Sequence, residues 1–283
     1  MDDLLNKPID QVAMVVLDTE TTGLFPAHGH RVVELGAVRY EPGPAGPWQI
    51  VAEFSQLLQP DRRMDPGATR VNGIRDADLL GMPRFADVAA QLLELLDGAL
   101  LVAHNASFDA GFLAMELQRC QPSLALPNPW LCTMRLARAL FYFGGNSLGH
   151  LARTLNVPTG RSHRALSDAY VTAGVLRRLV PELDRLGMLA VADLLEAQGG
   201  PIVATPPETA HLPSPYGLAM AQNRPLRITY AAPSGSTERV IEPLYATRRD
   251  GVSYLIAYCR LRQEQRTFRL DRIVSVDFED TEW

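Results

Sequence analysis

Val12 to Leu17 is a continuous apolar run rich in valine, the pattern of a strand buried on both faces. Arg31 to Tyr40 and Trp48 to Leu58 predict two further strands, separated by the Pro/Gly-rich turn Glu41 to Pro47. Helical apolar spacing over Ala86 to Leu96 precedes another buried strand, Ala99 to Ala103. Helices are then predicted over Asp109 to Leu117, Thr133 to Leu140, Ser147 to Leu155 with Ser147 as N-cap, and Ala165 to Leu179. Strands first, then strands alternating with helices, indicate an α/β fold with a mixed sheet.

The pattern changes after about Gln198. Gly199-Gly200-Pro201, Pro206-Pro207 and Pro213-Ser214-Pro215 fall close together, which neither a helix nor a central strand tolerates. Residues 199–224 are therefore read as a linker between a first domain, 1–198, and a second, 225–283. The second domain reads as all-β: Leu226 to Tyr230, Glu238 to Ile241, Tyr254 to Tyr258, Thr267 to Leu270 and Ile273 to Phe278 are short and rich in β-branched and aromatic residues. Turns are expected at Ser234-Gly235 and Asp250-Gly251. No internal repeat is visible.

Composition narrows the class. The chain has 283 residues, 47% of them hydrophobic, enough to bury a sizeable core. A net charge of −5 argues against coating nucleic acid by charge alone. It leaves a metal-dependent nuclease open, because metals invert the field of the carboxylates that hold them. Three cysteines, Cys120, Cys132 and Cys259, show neither zinc-site spacing nor a disulfide framework. The N-terminal residues have no signal-peptide pattern, and no apolar run approaches a membrane span, so a cytoplasmic protein is expected.

Three separated segments carry candidate chemistry. Val15-Val16-Leu17-Asp18-Thr19-Glu20-Thr21-Thr22-Gly23-Leu24 puts two carboxylates two apart at the end of a strand, on one face, with Thr19 on the other. Leu101-Val102-Ala103-His104-Asn105-Ala106-Ser107-Phe108-Asp109 puts a third at a strand-to-helix junction, where open α/β folds gather ligand groups. His163-Arg164-Ala165-Leu166-Ser167-Asp168 supplies a fourth, with a histidine five residues before it. Five residues on one helix are about 140° apart. His163 and Asp168 therefore converge only if His163 lies in a loop, which Gly160-Arg161-Ser162 favours, and Asp168 in the second helical turn. Convergent carboxylates suit two divalent ions, which activate water and stabilise the leaving oxygen of a phosphodiester. A histidine that titrates near neutral pH suits the general base.

In this order the segments resemble the three motifs of the DEDDh (DnaQ-like) 3′→5′ exonucleases, over roughly two thirds of the chain. The resemblance implies a ribonuclease H-like fold and catalysis by Asp18, Glu20, Asp109, His163 and Asp168. It implies two ions, Mg²⁺ or Mn²⁺. Asp18 would bridge both, Glu20 and Asp168 would hold the one nearer the nucleophile, Asp109 would help hold the other, and His163 would be the base. Thr21, Gly23 and Leu24 resemble the loop that contacts the 3′-terminal nucleotide. Asn105 is grouped with these substrate contacts, and Phe108 fits either a terminal-base contact or the core. Val71-Asn72-Gly73-Ile74 resembles a family segment with His in place of Asn72, and no role is assigned to it. The expected product is nucleoside 5′-monophosphate and the favoured substrate single-stranded DNA. An exoribonuclease or oligoribonuclease on the same core is the alternative, as is a non-catalytic nucleic-acid or ligand sensor.

Tyr254 to Arg260 and Arg266 to Ile273, with Ile228 to Tyr230 and Arg239 to Leu244, resemble the WYL domain, with Ser253 where the naming Trp would stand. The resemblance implies a small Sm/SH3-like barrel that binds nucleic acid or a regulatory ligand. Tyr230, Arg239, Tyr254, Arg266, Arg269 and Arg272 offer stacking faces and phosphate forks. The same aromatics suit a core and the same arginines a solvated rim. Pro225 to Trp283 holds nine Arg against nine Asp plus Glu, so any grip must come from local clustering. Partnership with a polymerase is left open.

Overall fold

Strand β1 (Met14–Thr21) is the centre of the first unit, buried on both faces as the apolar run predicts, but it continues through the polar residues to Thr21. The computed structural model describes residues 2–44, 46–121, 126–160, 163–204, 212, 214–222, 224–232, 235–249 and 252–279. Strands β2 (Val32–Gly43) and β3 (Gly46–Leu57) form a long antiparallel hairpin, so most of the segment read as a turn is ladder. Strands β4 (Leu100–Ala103) and β5 (Trp130–Cys132) run parallel to β1, giving a mixed sheet in the order β3-β2-β1-β4-β5. An antiparallel β3-β2-β1 meander on one side and two strands parallel to β1 on the other make the ribonuclease H-like arrangement that the motifs imply.

Helices cover both faces. The short helix α1 is Asp2–Leu5, and α2 is Pro66–Asn72. Helices α3 (Phe85–Leu96) and α4 (Ala106–Cys120) pack on the face of Val15 and Leu17, in a core with Phe112 and Trp130. Helices α5 (Thr133–Leu140), α6 (Leu148–Thr154), α7 (Ala165–Arg185) and α8 (Val191–Ala197) contribute to the opposite core, with Met14, Val16 and Tyr40. Ser147 caps α6 as expected, its hydroxyl accepting from the His150 amide at 3.3 Å.

The chain divides into two compact units, Met1–Leu24 with His30–Pro206, and Phe25–Gly29 with Pro207–Trp283. The segment read as linker is not uniform. Ile202 and Ala204 are buried in the first unit's core, and Tyr216–Ala221 forms helix α9 in the second. Pro206, Pro207, Pro213, Arg161, Ser162, Ser234, Asp250 and Gly251, on which the linker, loop and turn readings partly rest, lie outside the described residues. The second unit holds β6 (Leu226–Ala232), β7 (Gly235–Arg249), β8 (Val252–Cys259), β9 (Glu264–Arg269) and β10 (Ile273–Phe278), all antiparallel in the order β10-β6-β7-β8-β9. Among the described residues no β9–β10 pairing closes this sheet into the expected barrel. No helix among them is long and apolar enough to cross a membrane.

Candidate active site

The site forms where β1 leaves its cores. Its even-numbered positions face α7, which sends Asp18 and Glu20 to one side and Thr19 to the other. Asp18 pairs across the ladder with Gly36 and Glu20 with Glu34. A Cβ on Gly36 would lie 2.1 Å from the backbone nitrogen of Leu166. The missing side chain therefore lets the first turn of α7 cross β2 directly beside the carboxylates of β1.

That crossing delivers the third motif. His163 lies in the loop before α7, as the spacing requires, in the left-handed region at φ 59°. Asp168 is in the first turn of α7 rather than the second, and its Oδ2 accepts the His163 amide at 2.9 Å. One ligand atom from each of Glu20, His163 and Asp168 lies within 4.8 Å of the others. Asp18 and Asp109 are outside this tight group. Asp109, inside the first turn of α4 and 2% exposed, is turned towards β1 instead. Its Oδ1 accepts the Thr19 amide at 3.0 Å and the Thr19 hydroxyl at 2.7 Å. Thr19, which was expected only to point away, thus ties α4 to β1.

The electrostatics reflect crowding. Burial, then the charges of Asp109, Glu20, Asp168 and Glu34, push the Asp18 carboxyl well above its usual range. Burial pushes Glu20 up to about 7 against a hydrogen bond from Asn72. Burial also raises Asp109, against its bonds from Thr19, and Asp168, against the His163 amide. Hard oxygen donors that crowd one another, each carboxyl raised by burial, are a fitting donor set for divalent cations.

A model of the Exonuclease family (RNase T type) matches residues 15–176, more than half of the chain. The chain belongs to this exonuclease family. The exonuclease region is 35% identical over 195 residues to a DNA polymerase III subunit epsilon-like protein of Rhodobacter capsulatus, covering 68% of this chain and 27% of that one. It is 38% identical over 170 residues to DNA polymerase III subunit epsilon of Salmonella typhimurium, covering 57% and 68%. The chain thus spans about a quarter of the Rhodobacter relative's length. The solved structure of cell-death related nuclease 4 superposes with a TM-score of 0.50 at 16% identity over 61% of this chain and 65% of that one, a likeness of fold. A WYL domain model matches residues 217–278.

In the exonuclease domain, the segment that follows Glu20 is held by local contacts. The Thr21 hydroxyl donates to the Gly23 carbonyl at 2.6 Å, and a Cβ on Gly23 would meet the His30 ring at 2.3 Å. Leu24 is 68% exposed. Asn105 is exposed at φ 66°, whereas Phe108 packs on Phe112 at 4.8 Å against the α3/α4 core. Three participants were not found from sequence: Asn72 beside Glu20, Glu34, and Arg164. A lone glutamate inside the apolar run of β2 was the available signal for Glu34.

In the WYL domain, Tyr254 pairs across the ladder with Arg269, whose amide donates to the Tyr230 hydroxyl at 3.3 Å. Tyr230 meets the buried Phe268 edge-on at 5.2 Å. The guanidinium of Arg269 pairs with Asp271 at 2.7 Å, which offsets its charge. Arg239 bonds to the Thr237 hydroxyl at 3.1 Å and the Cys259 sulfur at 3.7 Å. Arg266 lies on β9 opposite Ala257, and Arg272 ends the 3₁₀ turn before β10. Tyr230, Tyr254 and Arg269 therefore come together.

Proposed function

We propose that this chain is a two-metal 3′→5′ exonuclease that removes nucleoside 5′-monophosphates from the end of single-stranded DNA. The observation that carries the reading is the convergence of Glu20, His163 and Asp168 within 4.8 Å, beside Asp18 and Asp109. Asp18, Glu20, Asp109 and Asp168 would hold two Mg²⁺ or Mn²⁺ ions. These would supply Lewis acidity to the phosphodiester and lower the pKa of bound water. His163, exposed at the rim, takes the proton of the attacking water. Thr21, Gly23, Leu24 and Asn105 are read as contacts for the terminal nucleotide. DNA is favoured over RNA because the curated relatives are named as DNA polymerase subunits, which also makes a polymerase partner a reading to test. The WYL domain is read as a second contact for nucleic acid or a small regulatory ligand, centred on Tyr230, Tyr254 and Arg269. The cytoplasm is the proposed place of action.

The test is incubation with 5′-labelled single-stranded DNA, duplex DNA and RNA in Mg²⁺, Mn²⁺ or EDTA. The expected result is stepwise shortening of single-stranded DNA from the 3′ end, stopped by EDTA and by Asp18→Asn. Activity in EDTA, or full activity of Asp18→Asn, refutes the metal reading. Faster digestion of RNA transfers the proposal to an exoribonuclease.

A further inference from the structure

We propose that the Glu34–Arg164 pair is a positioning device for the general base, tying the segment that carries His163 to the strand beside Glu20. The inference rests on His163 being that base. Glu34 is 2% exposed and opposes Glu20 in the ladder. Arg164 Nε donates to both of its oxygens, at 3.0 and 3.1 Å, and Nη2 donates to Oε1 at 2.7 Å. The Ala165 amide, a first-turn donor with no partner inside its helix, reaches Oε2 at 3.2 Å. Every oxygen of Glu34 is thus spent on the two residues that follow His163. The backbone amide of His163 itself donates to Asp168. The non-glycine residue at φ 59° between them is fixed from both directions.

Stability alone does not account for the pair. Only the carboxylate is buried, the Arg164 side chain being 38% exposed, and an ion pair of this kind contributes little net stability. Glu34 also adds its charge to those that crowd Asp18, Glu20 and Asp168. What the pair does supply is geometry: a planar fork on a fixed carboxylate sets the direction of the chain, which a lysine at the same position would not do. With the base held there, a misplacement of about 1 Å is enough to lower turnover by about 100-fold.

The test is a set of double-mutant cycles on the full-length protein, with a 5′-labelled oligonucleotide and Mg²⁺. Arg164→Ala should lower kcat by about 10- to 100-fold while KM and the half-saturating Mg²⁺ concentration move by less than about threefold. In a His163→Ala background the same change should lower kcat by no more than about twofold further, because the residue it positions is gone. Glu34→Gln should fall in the same class. Arg164→Lys, which keeps the charge and a foldable chain, should recover only part of the loss. Multiplicative losses in the double variants overturn the proposal, as does a loss carried by KM or by Mg²⁺ affinity. Full activity of Arg164→Lys overturns it too, by showing that charge alone matters. A wild-type rate for His163→Ala by itself refutes the base and so the reading beneath, a result distinct from uncoupled losses.

Discussion

Raising the pH in the absence of metal should destabilise this protein, the reverse of what surface carboxylates do. Glu20 titrates at about 7 when folded against 4.5 for an ordinary glutamate, so between those values the folded state holds the extra proton. The stability that this proton confers is intact below about pH 4.5 and lost as pH rises through about 7. At about 1.4 kcal/mol per unit, a shift of some 2.5 units amounts to roughly 3 kcal/mol. Asp18, Asp109 and Asp168 are raised too and act in the same direction. For a unit of this size, roughly 3 kcal/mol corresponds to about 6–12 °C in melting temperature. Asp78 and Asp271 are held low by Arg75 and Arg269, but their window lies below 3.8, outside a comparison of pH 5 with pH 8. His104, lowered by burial, acts the opposite way but is bonded to Thr133 and the Asn146 carbonyl rather than to the carboxylates. Melts in EDTA at both pH values, repeated with excess Mg²⁺, separate the two. Mg²⁺ should restore the midpoint at pH 8 and do little at pH 5, where protons compete for the same oxygens. A metal-free protein that is more stable at pH 8, with equal gains from Mg²⁺ at both values, would refute the reasoning.

Replacing His163 with alanine should lower turnover by about 10²–10⁴-fold with little change in melting temperature; an active variant with an unchanged pH–rate profile would show that another group activates the water. Gly36→Ala should push the first turn of α7 away from Asp18 and cost activity out of proportion to the single methyl added, measured as kcat against thermal midpoint. A fragment of residues 1–206 should still shorten short oligonucleotides, since all five catalytic candidates precede its end. If the WYL domain provides a second grip, long strands should suffer more than short ones in that fragment. Equal rates on both lengths would leave the domain as a small-ligand sensor or docking module.

The buried strands were legible because an apolar valine-rich run has few alternatives, and the motif residues because strand alternation fixes their face. Strand β5 has only three residues, too few to show a period. Helix α7 runs past Leu179 to Arg185, with Pro181 inside it, because its apolar period continues to the buried Leu183. In the second unit, the strand read over Glu238 to Ile241 is longer: β7 runs from Gly235 to Arg249 and accommodates Pro243 where the register shifts between Pro243 and Tyr245. The candidate site was legible as a set of residues and not as a mechanism of assembly. Gly36, Glu34 and Arg164 act through contacts between elements far apart in sequence, which no local pattern records.

The β2–β3 hairpin has a practical consequence. Both strands begin or end beside the carboxylates at Glu34 and Leu57, and both run the length of the sheet to the turn between Gly43 and Gly46. Seven residues of extended chain separate Gly36 from Gly43, a distance of about 23 Å. The turn is thus the place to lengthen this molecule, by a fluorophore-bearing peptide, an affinity tag or a whole inserted domain. There an added segment perturbs neither the register that sets Asp18 opposite Gly36 nor the helix that crosses it.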